Sequence, residues 1–153
     1  MVGARRGGPA NVCRWVATRD RGVELGLVEP LEGRVTPEAV LSLVDGRTRV
    51  VALSFVQFWN GYRVDLAEIG AECRKRGVIL AVDGIQGLGM LPFSLYSMHS
   101  DFFAAGPAKW LTGPPGFAFT AWLPALWERS YPLLFDTGPV YDRLSSLEPP
   151  LED

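Results

Sequence analysis

Two short apolar runs, separated by an amphipathic segment, constrain the fold of this chain more than any other feature. The runs are residues 49–55 (RVVALSF) and 78–82 (VILAV). Nearly continuous apolar runs of this length are typical of strands that are covered on both faces, as in parallel sheets. Residues 65–76 lie between the runs, and their apolar side chains recur at helical spacing: Leu66, Ile69 and Cys73. The order strand, helix, strand therefore predicts a βαβ unit.

The rest of the chain continues this alternation. Helices are predicted at residues 11–21, 37–44 and 124–129, and further strands at 23–28, 102–105 and 117–122. Gly22, Gly77 and the pair Thr36-Pro37 provide the helix stop and start signals. No element is predicted in residues 1–9, which are basic and glycine-rich. Strands alternating with helices at this spacing predict an α/β fold with a mostly parallel sheet and flanking helices.

Composition argues against several classes of protein. Fifteen Lys+Arg residues against 17 Asp+Glu give a net charge of −2, which argues against a nucleic-acid or anionic-membrane partner. No apolar run reaches the ~18 residues of a membrane span, and the cytoplasm is the expected location. Cys13, Cys73 and His99 fall short of the about four ligands of a zinc site. We expect His99 to be a surface-loop histidine.

The segments that follow the strands carry the residues capable of chemistry. In parallel α/β sheets, ligands bind beyond the carboxyl ends of the strands. Asp83 comes directly after the run VILAV, Gln86 lies three residues further on, and Lys109 follows the strand at 102–105. A buried carboxylate needs a partner, and a lysine among apolar neighbours favours the neutral amine that imine chemistry requires. Alternatively, Asp83 is a helix N-cap and Lys109 extends into solvent.

The order of these segments resembles the class V aminotransferase family of fold-type-I pyridoxal-phosphate enzymes. That family includes cysteine desulfurases and proteins similar to isopenicillin N epimerase. The resemblance covers residues 9–132 and is carried most specifically by DGIQGLG at 83–89, DFFAA at 101–105 and KWLTGPPG at 109–116. It also includes residues 9–12 (PANV), the strand at 49–54, and NGY at 60–62.

The resemblance implies a cofactor, a reaction class and a role for each residue. The cofactor is pyridoxal 5′-phosphate, whose protonated ring nitrogen pairs with Asp83 and whose phenolic oxygen accepts a hydrogen bond from Gln86. Lys109 forms the Schiff base and then acts as acid or base. The implied activity is that of a transferase, desulfurase or epimerase on an amino acid. The full-length form is expected to be a homodimer, with neither nucleic acid nor membrane as a partner.

Several positions depart from the family pattern and support a second hypothesis. Relatives commonly bind the cofactor phosphate with a Ser or Thr and a His at the positions of Gly106 and Ala108, and they often carry His at Phe55. The aromatic group that stacks on the ring falls near Gly8, and the asparagine usual in desulfurases near Phe58. The alternative is therefore an inactive remnant that keeps the α/β core as a folding or dimerisation module. An unrelated nucleotide-binding domain is a third possibility, supported only by the sheet pattern.

Chain length leads to a prediction of domain organisation. Residues 1–134 are expected to form part of the cofactor-binding large domain, shortened at its amino end. Residues 135–153 are proline-rich and acidic, and they are expected to link this domain to a small carboxyl-terminal domain that is missing. In the family, that small domain carries the arginine that binds the substrate carboxylate.

Overall fold

The computed structural model describes residues 1–5, 7 and 15–127. Its central element is a six-stranded sheet. The strands are β1 (Val2–Ala4), β2 (Gly26–Val28), β3 (Val50–Ser54), β4 (Ile79–Asp83), β5 (Phe102–Ala105) and β6 (Phe119–Trp122). They are ordered β2-β1-β3-β4-β5-β6 across the sheet, and every neighbouring pair is parallel except β5 and β6. The predicted α/β fold with a mostly parallel sheet is confirmed.

The register of the central strands places their carboxyl ends side by side. Asp83, the last residue of β4, lies opposite Ser54 of β3 and Ala104 of β5. The main-chain bonds continue one residue further, because Phe55 N donates to Asp83 O (2.8 Å) and Gly84 N donates to Ala104 O (2.8 Å). The segments that leave these three strands therefore start at one level of the sheet.

Local sequence signals explain the helix boundaries. Helix α1 is Pro37–Leu41, and the Thr36 hydroxyl accepts from the amide of Ala39 at 3.3 Å. Helix α2 is Leu66–Lys75, where Asp65 accepts from the amide of Glu68 at 3.3 Å, as the capping-box pattern predicts. A third, short helix, α3, is Pro124–Trp127.

One face of the sheet forms the core together with helix α2. Alternate side chains of β3, β4 and β5 are fully buried there: Val51, Leu53, Leu80, Val82 and Phe103. Helix α2 contributes Leu66, Ile69 and Cys73, which are all buried. Phe93 joins the core from the segment before β5, and its ring centroid lies 5.4 Å from that of Phe55 and 4.1 Å from that of Phe103. The aromatic trio covers the carboxyl end of the core.

The structure differs from the sequence prediction in a few places. Strand β1 was not predicted, because three residues are too few to show an alternating pattern. Within the predicted helix at 11–21, Trp15 and Val16 are helical and Arg19–Arg21 is a 3-10 turn, while residues 11–14 lie outside the described part. His99 lies in a loop as expected, but it is half-buried at a positive φ of 50°, and no described group bonds its buried Nδ1.

Replacing Gly84 by alanine tests how tightly the end of β4 is packed. A Cβ at this position would overlap the Phe103 ring. We expect Gly84→Ala to lower the free energy of unfolding by ~1–3 kcal/mol, the usual cost of overpacking a core. Gly46→Ala is the matched control, since its Cβ would meet nothing within 4 Å. Urea denaturation of both variants checks this, and equal midpoints would contradict the packing at Gly84.

Candidate active site

Three loops after β3, β4 and β5 lie against one another at the carboxyl edge of the sheet. The loop after β4 meets the loop after β3 at Gly87, where a Cβ would overlap the Phe55 ring. It meets the loop after β5 at Gly89, where a Cβ would lie 2.9 Å from Leu111 Cδ2. These contacts bring the segments that carry Asp83, Gln86 and Lys109 together, as the edge rule for parallel sheets predicts.

Asp83 is a half-buried carboxylate that few neighbouring groups stabilise. Its Oδ1 accepts a hydrogen bond from the amide of Ile85 at 3.0 Å. Burial raises the pKa of Asp83 above its ordinary value of 3.8, and the bond from Ile85 lowers it by less. No cationic side chain pairs with Asp83 in the part of the chain that the structure describes. The carboxylate is therefore a site at which a cationic ligand atom would be stabilised.

Gln86 lies in a tight turn that follows Asp83 immediately. The turn is closed by Gly87 N and Leu88 N, which donate to Gly84 O at 3.0 and 2.9 Å. Gln86 is half-buried, and its amide makes no hydrogen bond within residues 1–5, 7 and 15–127. The loop thus turns directly after β4 and leaves the Gln86 side-chain amide available to a ligand.

Lys109 is exposed in the loop after β5. A turn holds it, because Thr112 N donates to Lys109 O at 3.0 Å and Gly113 N donates to Pro107 O at 2.9 Å. Among the described residues its amine has no carboxylate partner, whereas the chain's other lysine, Lys75, binds Glu72 at 3.1 Å. The apolar enclosure expected of Lys109 is not found among the described residues, and the alternative expectation, a side chain that extends into solvent, agrees with its exposure.

The polar groups of these loops fit the pyridine ring of pyridoxal phosphate better than they fit its phosphate group. A buried carboxylate that lacks a cation suits a protonated ring nitrogen, and the amide and amine of Gln86 and Lys109 suit the polar groups on the opposite side of the ring. On the phosphate side, Gly106 and Ala108 offer main-chain groups only. At Gly106 a Cβ would lie 3.0 Å from Phe117 O, so a larger residue would be crowded there.

Phe55 replaces a polar residue of the family pattern with a core residue. Its side chain is completely buried, and it packs edge-on against Phe93. The position therefore stabilises the loops and offers no hydrogen bond to a ligand.

Gln57 is a polar residue near the site that the sequence analysis did not single out. Its side chain is 1% exposed, and neither its Nε2 nor its Oε1 has a partner among the described groups. Such unpaired buried amides are uncommon in native proteins. The only signal in the sequence was a glutamine three residues after a buried strand.

The described residues contain no group of three or more His, Cys, Asp and Glu side chains that could hold a metal ion. None of the described helices is long and apolar enough to cross a membrane.

Comparison with known proteins gives the family. The model of the family described as aminotransferase class-V matches residues 3–143. The chain belongs to this family. The resemblance that the motifs predicted is confirmed.

Individual relatives differ in their reactions. The chain is 29% identical over 134 residues to a probable cysteine desulfurase of Methanothermobacter thermautotrophicus, and the match covers 87% of this chain and 34% of the relative. It is 30% identical over 128 residues to an isopenicillin N epimerase of Streptomyces clavuligerus, covering 81% of this chain and 32% of the relative. The chain thus spans about a third of the length of these curated relatives.

A solved structure shows the same fold. The apo cysteine desulfurase of Thermococcus onnurineus NA1 superposes with a TM-score of 0.80 at 22% identity, covering 90% of this chain and 34% of the other. The six-stranded sheet is therefore part of a fold-type-I architecture.

Replacing Asp83 by asparagine tests the cost of its burial. A group with a raised folded pKa contributes stability below its unfolded pKa and loses it as the pH rises through the folded pKa. At pH 7 the buried carboxylate is therefore unfavourable, and we expect Asp83→Asn to raise the free energy of unfolding by ~1 kcal/mol. The gain should vanish as the pH falls below 3.8, the ordinary value for aspartate.

Urea denaturation of both proteins between pH 3 and 8 gives this difference directly. Asp45→Asn serves as a control of opposite sign, because hydrogen bonds from Thr48 and Arg47 lower the pKa of that exposed carboxyl. A gap between wild type and Asp83→Asn that is independent of pH would contradict the assignment.

Proposed function

We propose that this chain is part of a pyridoxal-phosphate-dependent enzyme that acts on an amino acid. The observation that carries the proposal is the contact between the loops after β4 and β5, which brings the Asp83 and Lys109 segments to one place. An unpaired buried carboxylate and an unpaired amine on adjoining loops are the two groups that this cofactor requires. The family membership and the named activities of the relatives support the same proposal.

The proposed roles follow from the surroundings of each side chain. Asp83 would hold the ring nitrogen in its protonated state, Gln86 would donate to the phenolic oxygen, and Lys109 would bind the cofactor covalently. When bound, the cofactor supplies an electron sink that stabilises negative charge on a substrate carbon.

The chain's own residues then account for proton movement and orientation. Nζ of Lys109 is the one amine on the three loops, so it is the group that takes a proton from the substrate carbon and returns it. Burial raises the pKa of Asp83, so a cation that faces the carboxylate would stabilise its charged form. The Ile85 amide orients one carboxylate oxygen and leaves the other for the ligand.

The domain organisation and assembly are part of the proposal. Residues 1–134 would be a portion of the large domain, with 135–153 leading toward a small domain. The full-length enzyme would be a homodimer with an amino acid as substrate and a cytoplasmic location. Transfer, desulfuration and epimerisation all remain compatible with these residues.

A second candidate is a remnant without activity that keeps the sheet as a folding or dimerisation module. It is favoured by one observation, the absence of side-chain donors at Gly106 and Ala108. Loss of two charge-assisted hydrogen bonds to a phosphate would weaken cofactor binding by ~3–6 kcal/mol.

The chain's lysine content makes a clean test possible. Lys75 and Lys109 are its only lysines, so the chain is incubated with pyridoxal phosphate, reduced with borohydride and mapped by mass spectrometry. We expect a stoichiometric adduct on Lys109 that persists in Lys75→Ala and is lost in Lys109→Ala. Lys75 is an exposed lysine of helix α2 that pairs with Glu72, and it therefore reports chance labelling.

A second variant separates specific binding from chance labelling. Asp83→Ala should weaken cofactor uptake about tenfold or more, since a charge-assisted bond is lost. Equal labelling of Lys75 and Lys109, or uptake that is unaffected by Asp83→Ala, would instead support the inactive remnant.

A further inference from the structure

The three loops of the candidate site are almost free of charge. Residues 55–62, 84–93 and 106–117 contain a single charged side chain, that of Lys109, although 21% of the chain is charged. Asp83 precedes the second loop, and the next charge along the first loop is Arg63. A substrate whose side chain carries a charge would therefore find no counter-charge on these loops other than the groups already assigned to the cofactor.

Large apolar side chains are exposed on the same loops. Phe58, Met90, Trp110, Leu111 and Phe117, which we call the apolar rim, are 51%, 57%, 50%, 41% and 69% exposed. Single exposed apolar residues are ordinary, but a group of them on neighbouring loops marks a binding surface.

Packing holds the rim residues beside the candidate site. Trp110 follows Lys109 directly, and Leu111 lies against Gly89, three residues after Gln86. Phe117 is held by its backbone, since its carbonyl oxygen would lie 3.0 Å from a Cβ at Gly106. Phe58 begins the turn that follows Val56, whose Cγ2 would lie 3.1 Å from a Cβ at Gly87. The rim is thus continuous with the loops that carry Asp83, Gln86 and Lys109.

We propose that the apolar rim selects amino acids with uncharged, apolar side chains as the substrates of this site. This inference rests on the proposed function, because the rim acts on a substrate only if the cofactor is bound at Lys109. The physical basis is transfer of the substrate side chain from water onto aromatic and aliphatic surface, which favours larger apolar groups. A carboxylate-bearing side chain would lose hydration at the same place without a compensating cation.

The test compares two amino acids on the chain loaded with pyridoxal phosphate. L-Phenylalanine and L-glutamate are titrated separately, and binding is followed as the rise in the thermal unfolding midpoint. We expect phenylalanine to bind at least about tenfold more tightly than glutamate, because the rim offers apolar surface and no counter-charge. Phe58→Asn should reduce this ratio about threefold or more, whereas the control Tyr96→Asn should leave it unchanged. Tyr96 is 73% exposed and lies outside the three loops of the candidate site.

Each outcome decides between the inference and its competitors. Equal affinities, or tighter binding of glutamate, would overturn it while leaving the Lys109 adduct and the proposed function intact. If the chain forms no adduct on Lys109, the proposed function is contradicted, and the inference about the apolar rim is contradicted with it. A Phe58→Asn variant that keeps the ratio but dissociates a dimer in sedimentation would assign the rim to a second copy of the chain. Met90→Gln repeats the comparison on a different loop if Phe58→Asn does not fold.

Discussion

The main-chain hydrogen bonds that extend the β3-β4-β5 ladder beyond the strands hold the site together. Phe55 N bonds to Asp83 O and Gly84 N bonds to Ala104 O, so each loop leaves the sheet from a fixed point. The loops can then pack closely, since Gly87 and Gly89 present no side chain to the residues they meet. Without this alignment, the three loops would leave the sheet at different levels, and Asp83 and the Lys109 loop would not lie at the same carboxyl edge.

The central part of the fold could be predicted because burial on both faces leaves a clear pattern. The run VILAV predicted β4 to within one residue, and the capping pair Asp65 and Glu68 predicted the start of α2. The pattern is weaker at the margins. Strand β1 has three residues, and its pairing with β2 and β3 depends on contacts distant in sequence. The predicted strand at 117–122 begins at Phe119, because only 119–122 have partners in β5.

The candidate site was predictable in position and less so in environment. Asp83 follows from the end of an apolar run, and the fold rule then places Lys109 at the same edge. The sequence left two environments open for Lys109, apolar enclosure and extension into solvent, and could not decide between them because exposure depends on what covers the loop. The missing hydrogen bonds of the Gln57 amide could not be predicted either, because they depend on which groups surround the side chain in the folded structure. At Phe55, where the family pattern has a polar residue, the side chain instead packs against Phe93 and contributes to the core.

The electrostatics of the edge argue that the described residues form half of a binding arrangement. Burial disfavours the charged form of Asp83, and one amide from Ile85 compensates only part of that cost. Lys109 differs from Asp83 because its amine is exposed to water, and it has no carboxylate partner among the described residues. The two groups are held on touching loops without pairing with each other. Under the proposed function, a ligand with a cationic ring atom and a carbonyl carbon would stabilise the first group and bond to the second.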